Sequence, residues 1–301
     1  MKRIKPYIRD VMIVLPFLLH TIIFTLYPAI NTFVLSFKED YRLLSDKYSS
    51  LGLGNYSEIF QDKYFTQSLT NTLLYTIIVV PIVLILSTII ANLLNQNIKF
   101  ISAFQTAFFL PLVTASTAVS YSWRLIFNSQ YGILNRLLTS FDISPVPWLT
   151  DAHYSLFVLV VCGIWNMLPF SILTLLSALQ SINKEYYLAA SIDGAKSLFT
   201  FRKITFPAIK KSIILLGVLH TISAFRVFDE LFPLFSGKPG PSYNMYTLVY
   251  YMYEQMQSLA VGAYGKAAAA AVILFLMLLG LSIVLYLLRI PRKKKEEHSN
   301  E

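Results

Sequence analysis

The sequence predicts an all-α membrane protein with six transmembrane helices, and three observations support that fold class. Hydrophobic residues make up 55% of the 301 residues and charged residues only 14%, with a mean hydropathy of +0.58. A soluble domain carries about 25% charged residues. Apolar runs of about 20 residues, each long enough to cross a bilayer as a helix, recur along the chain, and the alternating strands of membrane barrels do not.

The six predicted spans are 11–37, 71–95, 102–127, 154–180, 212–235 and 265–288. The first follows a basic start and so resembles a signal peptide. Its apolar run lasts about 27 residues and ends without a small-x-small cleavage site, which predicts a retained first helix.

Basic residues predict the orientation, because cytoplasmic loops are enriched in Lys and Arg. With the N-terminus inside, most of the 25 Lys and Arg residues fall in cytoplasmic segments. These predicted segments are the N-terminus 1–10, Lys99, the loop 181–211 and the tail 291–301, and they flank a transmembrane domain over 11–290. The net charge of +9 is thus a topology signal that also favours contact with anionic lipid. Nucleic-acid binding is not predicted, because the basic residues are divided among separate segments.

Three outside loops are predicted, over 38–70, 128–153 and 236–264. The first mixes acidic and basic residues, and the other two contain Pro and Gly, which favour turns. Asn55-Tyr56-Ser57 matches a glycosylation acceptor, although one such match is expected by chance.

No motif predicts an enzyme or a metal site. The histidines (His20, His153, His220 and His298) are scattered, and the single cysteine, Cys162, excludes a disulfide within the chain. The segment 262–266 superficially resembles a phosphate loop, but its glycine spacing is wrong and Ala267 stands where a Ser or Thr would hold magnesium. If ATP drives this protein, another chain binds it.

The segment 182–207 is a polar, basic loop that is much longer than a turn between spans requires. Lys184 to Ser191 predicts a short helix, which Asp193-Gly194 would end. Tyr187, Leu188 and Ala190 would form an apolar knob, with Ala189 and Ala190 allowing close approach. Such a helix suits a groove on a cytoplasmic partner or the surface of the bilayer, and physical reasoning leaves both interpretations open.

This segment resembles the "EAA" loop of permease subunits of binding-protein-dependent ABC importers. The resemblance rests on Ala189-Ala190, Asp193-Gly194-Ala195 and Ile204-Thr205-Phe206-Pro207, with Leu188 at the usual glutamate position and Asn183 where proline is common. Further segments resemble the carbohydrate branch of the maltose, multiple-sugar or glycerol-phosphate kind: 132–135 with Trp148-Leu149, 164–170, 178–182, 228–230 with Gly237 and Pro239, and 265–268.

The resemblance implies a type I ABC importer permease in a bacterial or archaeal cytoplasmic membrane, with both termini cytoplasmic. Its expected partners are a second homologous permease, a cytoplasmic ATPase dimer and an extracytoplasmic solute-binding protein. No cofactor is expected on this chain, since ATP and magnesium would bind the ATPase. The expected cargo is a carbohydrate such as an oligosaccharide, with glycerol phosphate or another small solute as the lesser alternative. A secondary transporter and a non-transporting scaffold are the rivals from other classes.

The family lines its pathway from the fourth and fifth helices, which implies seven residues here: Gly163, Asn166, Met167, Phe170, Thr221, Ala224 and Phe225. Each group shares one helical face, and ordinary helix packing is the alternative for each residue. Arg226, Asp229 and Glu230 are expected in the outer half of the fifth helix, where intrahelical pairs would form. Two roles stay open for them, a structural or gate-side salt bridge and contact with substrate or binding protein.

Overall fold

The structure is a computed structural model that describes residues 6–96 and 101–289, and these are predominantly helical. The outermost residues of the predicted cytoplasmic N-terminus, Lys99 and the predicted tail 291–301 lie outside the described residues. The α-helices in chain order are α1 (Pro6–Thr21), α2 (Tyr27–Leu35), α3 (Gly54–Gln61), α4 (Lys63–Leu94), α5 (Ile101–Phe109), α6 (Ser116–Ile126), α7 (Ile133–Ser140), α8 (Ala152–Gln180), α9 (Lys184–Ile192), α10 (Ser197–Thr200), α11 (Phe206–Phe225), α12 (Leu231–Leu234), α13 (Leu248–Gln257) and α14 (Ala263–Arg289).

Five helical stretches are long and apolar enough to cross a membrane, and a sixth is a bent pair. The five are Val11–Leu35, Lys63–Leu94, Ala152–Gln180, Ser197–Phe225 and Ala263–Val284. The six-helix prediction is confirmed when the bent pair counts as one span.

The bent pair replaces the straight third span that the sequence predicts. Ile101–Val113 and Ser116–Ile126 meet at 106°. Pro111 is the second residue of a short 3-10 turn, Leu110–Val113, and Thr114 and Ala115 then adopt extended backbone angles. Proline removes one helical hydrogen bond and clashes with the preceding turn, which favours a break here.

The fifth span is the main correction to the predicted boundaries. The expectation of a helix over 212–235 is wrong, because α11 begins at Phe206, follows α10 and a π-helical turn, and ends at Phe225. Asp229 and Glu230 would be unfavourable near a helix C-terminus, and they instead precede the N-terminus of α12, where carboxylates are favoured.

Two π-helical turns, Ile22–Leu26 and Phe201–Thr205, interrupt the first and fifth spans. Each lies just before a proline near the start of the next helix, Pro28 in α2 and Pro207 in α11. A proline cannot donate to the preceding turn, so a locally widened helix relieves the clash with that turn.

The chain divides into two compact units. One comprises Met1–Thr66 and Tyr251–Leu276, and the other comprises Gln67–Tyr250 and Met277–Glu301. The core of the second joins α4, α8 and α11 through these buried residues: Ala91, Leu94, Ile172, Leu175, Leu176, Leu179, Ile209 and Leu216. Close packing of this kind stabilises helices in lipid, where burial from water contributes little.

The first unit is held by polar contacts around Asn55. The buried Asn55 amide donates to the backbone oxygens of Ser36 and Lys38 at 3.0 and 2.9 Å. Its side chain also lies directly against Gly265 of α14. The glycosylation pattern at Asn55 therefore marks a buried structural side chain.

Candidate functional site

The first candidate site is the short helix α9, which has a hydrogen-bonded cap at each end. Asn183 Oδ1 accepts from the backbone N–H of Glu185 at 3.0 Å, which is a standard N-cap contact. At the other end, Ala195 N–H donates to the Ala190 oxygen and Gly194 N–H to the Ser191 oxygen, at 2.9 and 3.2 Å. With Gly194 at φ +67°, this is a Schellman motif. The predicted helix and its stop at Asp193-Gly194 are both present.

Exposed apolar side chains on α9 differ in part from the predicted knob. Leu188 is 61% exposed and Ile192 is 85% exposed, and their spacing of four places both on one helical face. Tyr187 instead is half-buried, with its hydroxyl 3.0 Å from Thr205 Oγ1, so it ties α9 to the segment that leads into α11. Ile192 was missed from the sequence, although its spacing from Leu188 is the signal that would have found it.

A groove of about 630 Å³ runs beside α9. Its wall includes the small side chains of Ala189, Ala190 and Ala195, and the remaining lining residues are Tyr186, Asp193, Phe199 and Ile204. Because the alanine side chain is small, a side chain of a partner could approach the backbone of α9 closely. The predicted docking residues Ala189, Ala190 and Asp193 thus share one concave surface.

The second candidate site is a polar cavity of about 480 Å³. It is formed by α4, the bend between α5 and α6, α8, and the end of α11 with the segment after it. Its lining residues are Tyr75, Pro111, Leu112, Thr114, Ser116, Asn166, Met167, Ser223, Arg226, Val227, Asp229 and Glu230. Hydroxyl, amide, carboxylate and guanidinium groups together can form hydrogen bonds with a polyhydroxylated ligand.

A side-chain hydrogen bond in this cavity joins α8 to the segment after α11. Asn166 Nδ2 donates to Glu230 Oε1 at 3.0 Å. The expected intrahelical pairing of Arg226 with Asp229 and Glu230 is therefore wrong in its geometry, because all three residues follow the end of α11. Arg226 is the C-cap residue, with φ −100° and ψ 15°, while Glu230 occupies the N-cap position of α12 without a side-chain capping bond.

Five of the seven helix positions predicted to line the pathway do not line this cavity. Gly163 lies beneath the phenol of Tyr75. Phe170 contacts His220 edge-on, with ring centroids 6.5 Å apart, and the Thr221 hydroxyl donates to the Gly217 oxygen at 2.7 Å. Ala224 and Phe225 are buried.

The cavity therefore brings together only Asn166 and Met167 of that set, joined by Arg226, Asp229 and Glu230. The polar lining residues that the sequence did not indicate are Tyr75, Thr114, Ser116 and Ser223, and the apolar ones are Pro111, Leu112 and Val227. A polar residue within an apolar span is a weak signal for the polar four. Contact of any of these residues with substrate stays a prediction.

The loop between α7 and α8 is organised by one buried asparagine. Asn135, 3% exposed, donates to the backbone oxygens of Ser129 and Val146 at 3.0 and 2.9 Å. Its Oδ1 accepts from the indole N–H of Trp148 at 2.8 Å and from Val146 N–H at 3.1 Å. This contact explains why Asn135 and Trp148 occur together in the loop motif.

No cluster of three or more metal-ligating side chains occurs within residues 6–96 and 101–289.

Sequence comparison matches the chain to one family of known proteins. The family described as "Binding-protein-dependent transport system inner membrane component" matches residues 50–295. The arabinooligosaccharides transport system permease protein AraP of Bacillus subtilis is 32% identical, over 94% of this chain and 88% of that protein. The trehalose/maltose transport system permease protein MalF of Thermococcus litoralis is 30% identical, over 91% of this chain and 90% of its own length.

A solved structure shares the fold. A chain in the crystal structure of a bacterial alginate ABC transporter, in complex with an alginate pentasaccharide-bound periplasmic protein, aligns with a TM-score of 0.81 at 21% identity. The alignment covers 92% of this chain and 94% of that one.

Proposed function

Because this chain belongs to the family of binding-protein-dependent transport system inner membrane components, we propose that it forms half of the translocation pathway of an ATP-driven carbohydrate importer. The substrate class is supported by relatives named for arabinooligosaccharides, for trehalose and maltose, and for lactose. The polar cavity beside α8 supports it independently, because its amide, hydroxyl and carboxylate groups suit sugar hydroxyls.

The helix α9 carries the argument that ATP hydrolysis occurs on a separate subunit. It is capped at both ends, so its shape is fixed, yet Leu188 and Ile192 are largely exposed. A rigid helix with an apolar stripe beside a groove suits insertion into a protein surface. The occupant we propose is a cytoplasmic ATPase dimer, which would bind ATP and magnesium.

Leu188 stands at the usual glutamate position of the EAA loop, so the chemistry of the proposed contact with the ATPase differs. A leucine offers no hydrogen-bond acceptor or charge, so shape and apolar contact would hold the ATPase, and the exposed Ile192 would extend the same stripe. Closure of the ATPase dimer would then pull on α9. That pull would bias two states of the permease, in which the cavity opens to one or the other side of the membrane.

The other proposed partners complete the pathway. A second homologous permease would supply the other half, as a heterodimer, and an extracytoplasmic solute-binding protein would deliver the sugar. The proposed topology places α9 and both termini in the cytoplasm and the loops with Asn55 and Asn135 outside, since Lys and Arg concentrate in the former segments.

The experiment has two readouts, uptake and co-purification. Deletion of the gene should abolish uptake of at least one of four labelled sugars: arabinotriose, maltose, trehalose or lactose. The tagged chain, purified gently from native membranes, should carry an ATPase and a second permease. Gly194→Pro should lose the ATPase, because proline cannot adopt the positive φ of the Schellman residue.

The matched control is Gly280→Ala in α14, where an added methyl group meets no atom within 4 Å. It should retain the ATPase and full uptake. Purification of the wild-type chain without any ATPase, or normal uptake of all four sugars by the deletion strain, would contradict the proposed function.

A further inference from the structure

The hydroxyl of Tyr75 has an unusual environment in the cavity wall. Tyr75 is fully buried, and within the part of the chain that the structure describes its oxygen has no hydrogen-bond partner. Leaving a buried hydroxyl unpaired is unfavourable. A conformation in which this group finds an acceptor would therefore be favoured.

Glu230 is the acceptor that the geometry points to. Tyr75 and Glu230 line the same cavity, and Glu230 is already bonded to Asn166 in that wall. The phenol oxygen lies directly against Gly163, and Asn166 follows one turn later on the same face of α8. Residues three apart on a helix lie about 5–6 Å from each other. The Tyr75 hydroxyl, which lies at Gly163, and the Asn166 amide therefore occupy neighbouring positions, from which both can approach Glu230.

In the observed arrangement Glu230 is bonded to Asn166. That bond occupies one donor of the amide that faces the cavity, and it leaves Tyr75 without a partner. Movement of the carboxylate to Tyr75 would pair the phenol and free the Asn166 amide. A sugar hydroxyl could then accept from Asn166, so the total number of hydrogen bonds would rise by one.

We propose that Asn166 and Tyr75 are alternative partners of Glu230, and that the exchange from Asn166 to Tyr75 prepares the cavity to bind a sugar hydroxyl. This inference rests on the proposed function. Tyr75 is a positioning residue in it, since it acts on the sugar through Glu230 and Asn166. The wall carries two carboxylates and one guanidinium and so offers no net positive charge, which suits an uncharged sugar.

The test is a double-mutant cycle in cells that produce the complete transporter. The probe is whichever of labelled arabinotriose, maltose, trehalose and lactose the wild type takes up. Tyr75→Phe removes only the oxygen and should raise the KM for uptake about tenfold, the effect of losing a hydrogen bond to a charged group, with the maximal rate unchanged. In a Glu230→Ala background the same substitution should change KM less than about twofold, because the acceptor is gone.

An Asn166→Ala background gives a second route if Glu230→Ala does not assemble with the ATPase. In the Asn166→Ala background, Tyr75→Phe should also raise the KM for uptake only a little further, since no amide remains to be freed. The control Tyr27→Phe removes the hydroxyl of a tyrosine that is 68% exposed in α2, and it should leave KM unchanged.

An equal rise in KM in the wild-type and Glu230→Ala backgrounds would overturn the exchange while leaving the proposed function intact. So would an unchanged KM in Tyr75→Phe. Uptake of none of the four sugars by the wild type would overturn the carbohydrate assignment, and this inference with it.

Discussion

Gly163 of α8 lies directly against the phenol ring of Tyr75 in α4. A Cβ atom added at Gly163 would come within 2.9 Å of Tyr75 Cζ, a separation that real Cβ atoms do not tolerate. The glycine is therefore required for the close approach of the two helices, as is common for small residues in membrane helix packing. This contact sets the position of the Tyr75 hydroxyl in the cavity wall.

Gly163→Ala should lower the stability of the purified complex by about 1–3 kcal/mol, because overpacking at a fully buried contact forces either the ring or the helix to move. The measurement is thermal unfolding in detergent. Gly280→Ala is the control, since its methyl group would enter open space. Equal unfolding temperatures for the two variants would show that the helices do not pack this closely.

Asn135→Asp should destabilise the loop between α7 and α8. The substitution removes the two N–H donors that satisfy the Ser129 and Val146 oxygens and faces them with a carboxylate. We expect a cost of roughly 2 kcal/mol or more and faster proteolysis of residues 128–151. The same change at Asn95, an exposed residue just after α4, should have little effect. Proteolysis at the wild-type rate would exclude the proposed role of Asn135.

Asn183→Ala should weaken α9 by about 1 kcal/mol, because the N-cap bond to the Glu185 N–H is lost. In the complex, this should appear as partial loss of the ATPase during purification. Asn183→Ser restores a capping oxygen and should retain the ATPase. If the alanine and serine variants kept equal amounts of the ATPase, the cap would have no role in docking.

Glu39 should make the loop after α2 sensitive to acid. Its carboxylate accepts from the Ser50 hydroxyl and from the Gly54 N–H, the latter at 2.7 Å. These two bonds lower the pKa of Glu39 below its ordinary value of 4.5. A lowered native pKa means that the stabilisation is present above the unfolded value and is lost as the pH falls through the native one.

Hydrogen exchange of the backbone amides over 49–54, corrected for the intrinsic rate, is the measurement. Protection should be constant at neutral pH and should fall in acid below the ordinary carboxyl pKa. Glu39→Gln should show weaker protection that does not vary with pH over this range. Parallel profiles for the wild type and Glu39→Gln would assign the acid response to another group.

The sequence by itself determined the features that depend only on residues close together along the chain. Apolar runs long enough to cross a bilayer identified the six spans, and good helix formers followed by Asp193-Gly194 identified α9 and its end. Both depend on local patterns, since a span is set by its own length and hydropathy and a Schellman stop by one residue that tolerates a positive φ. The EAA-like pattern identified the family for the same reason.

Only the tertiary structure decided which polar groups meet. Asn166 and Glu230 are 64 residues apart in sequence, and Tyr75 reaches Gly163 from another helix. The end of α11 at Phe225 also escaped prediction, because apolar residues recur as far as Phe235 around the charged ones and hydropathy does not record where a backbone turns. A polar cavity is a product of helix packing, so its lining follows from how α4, α8 and α11 approach one another, which no single segment of the sequence specifies.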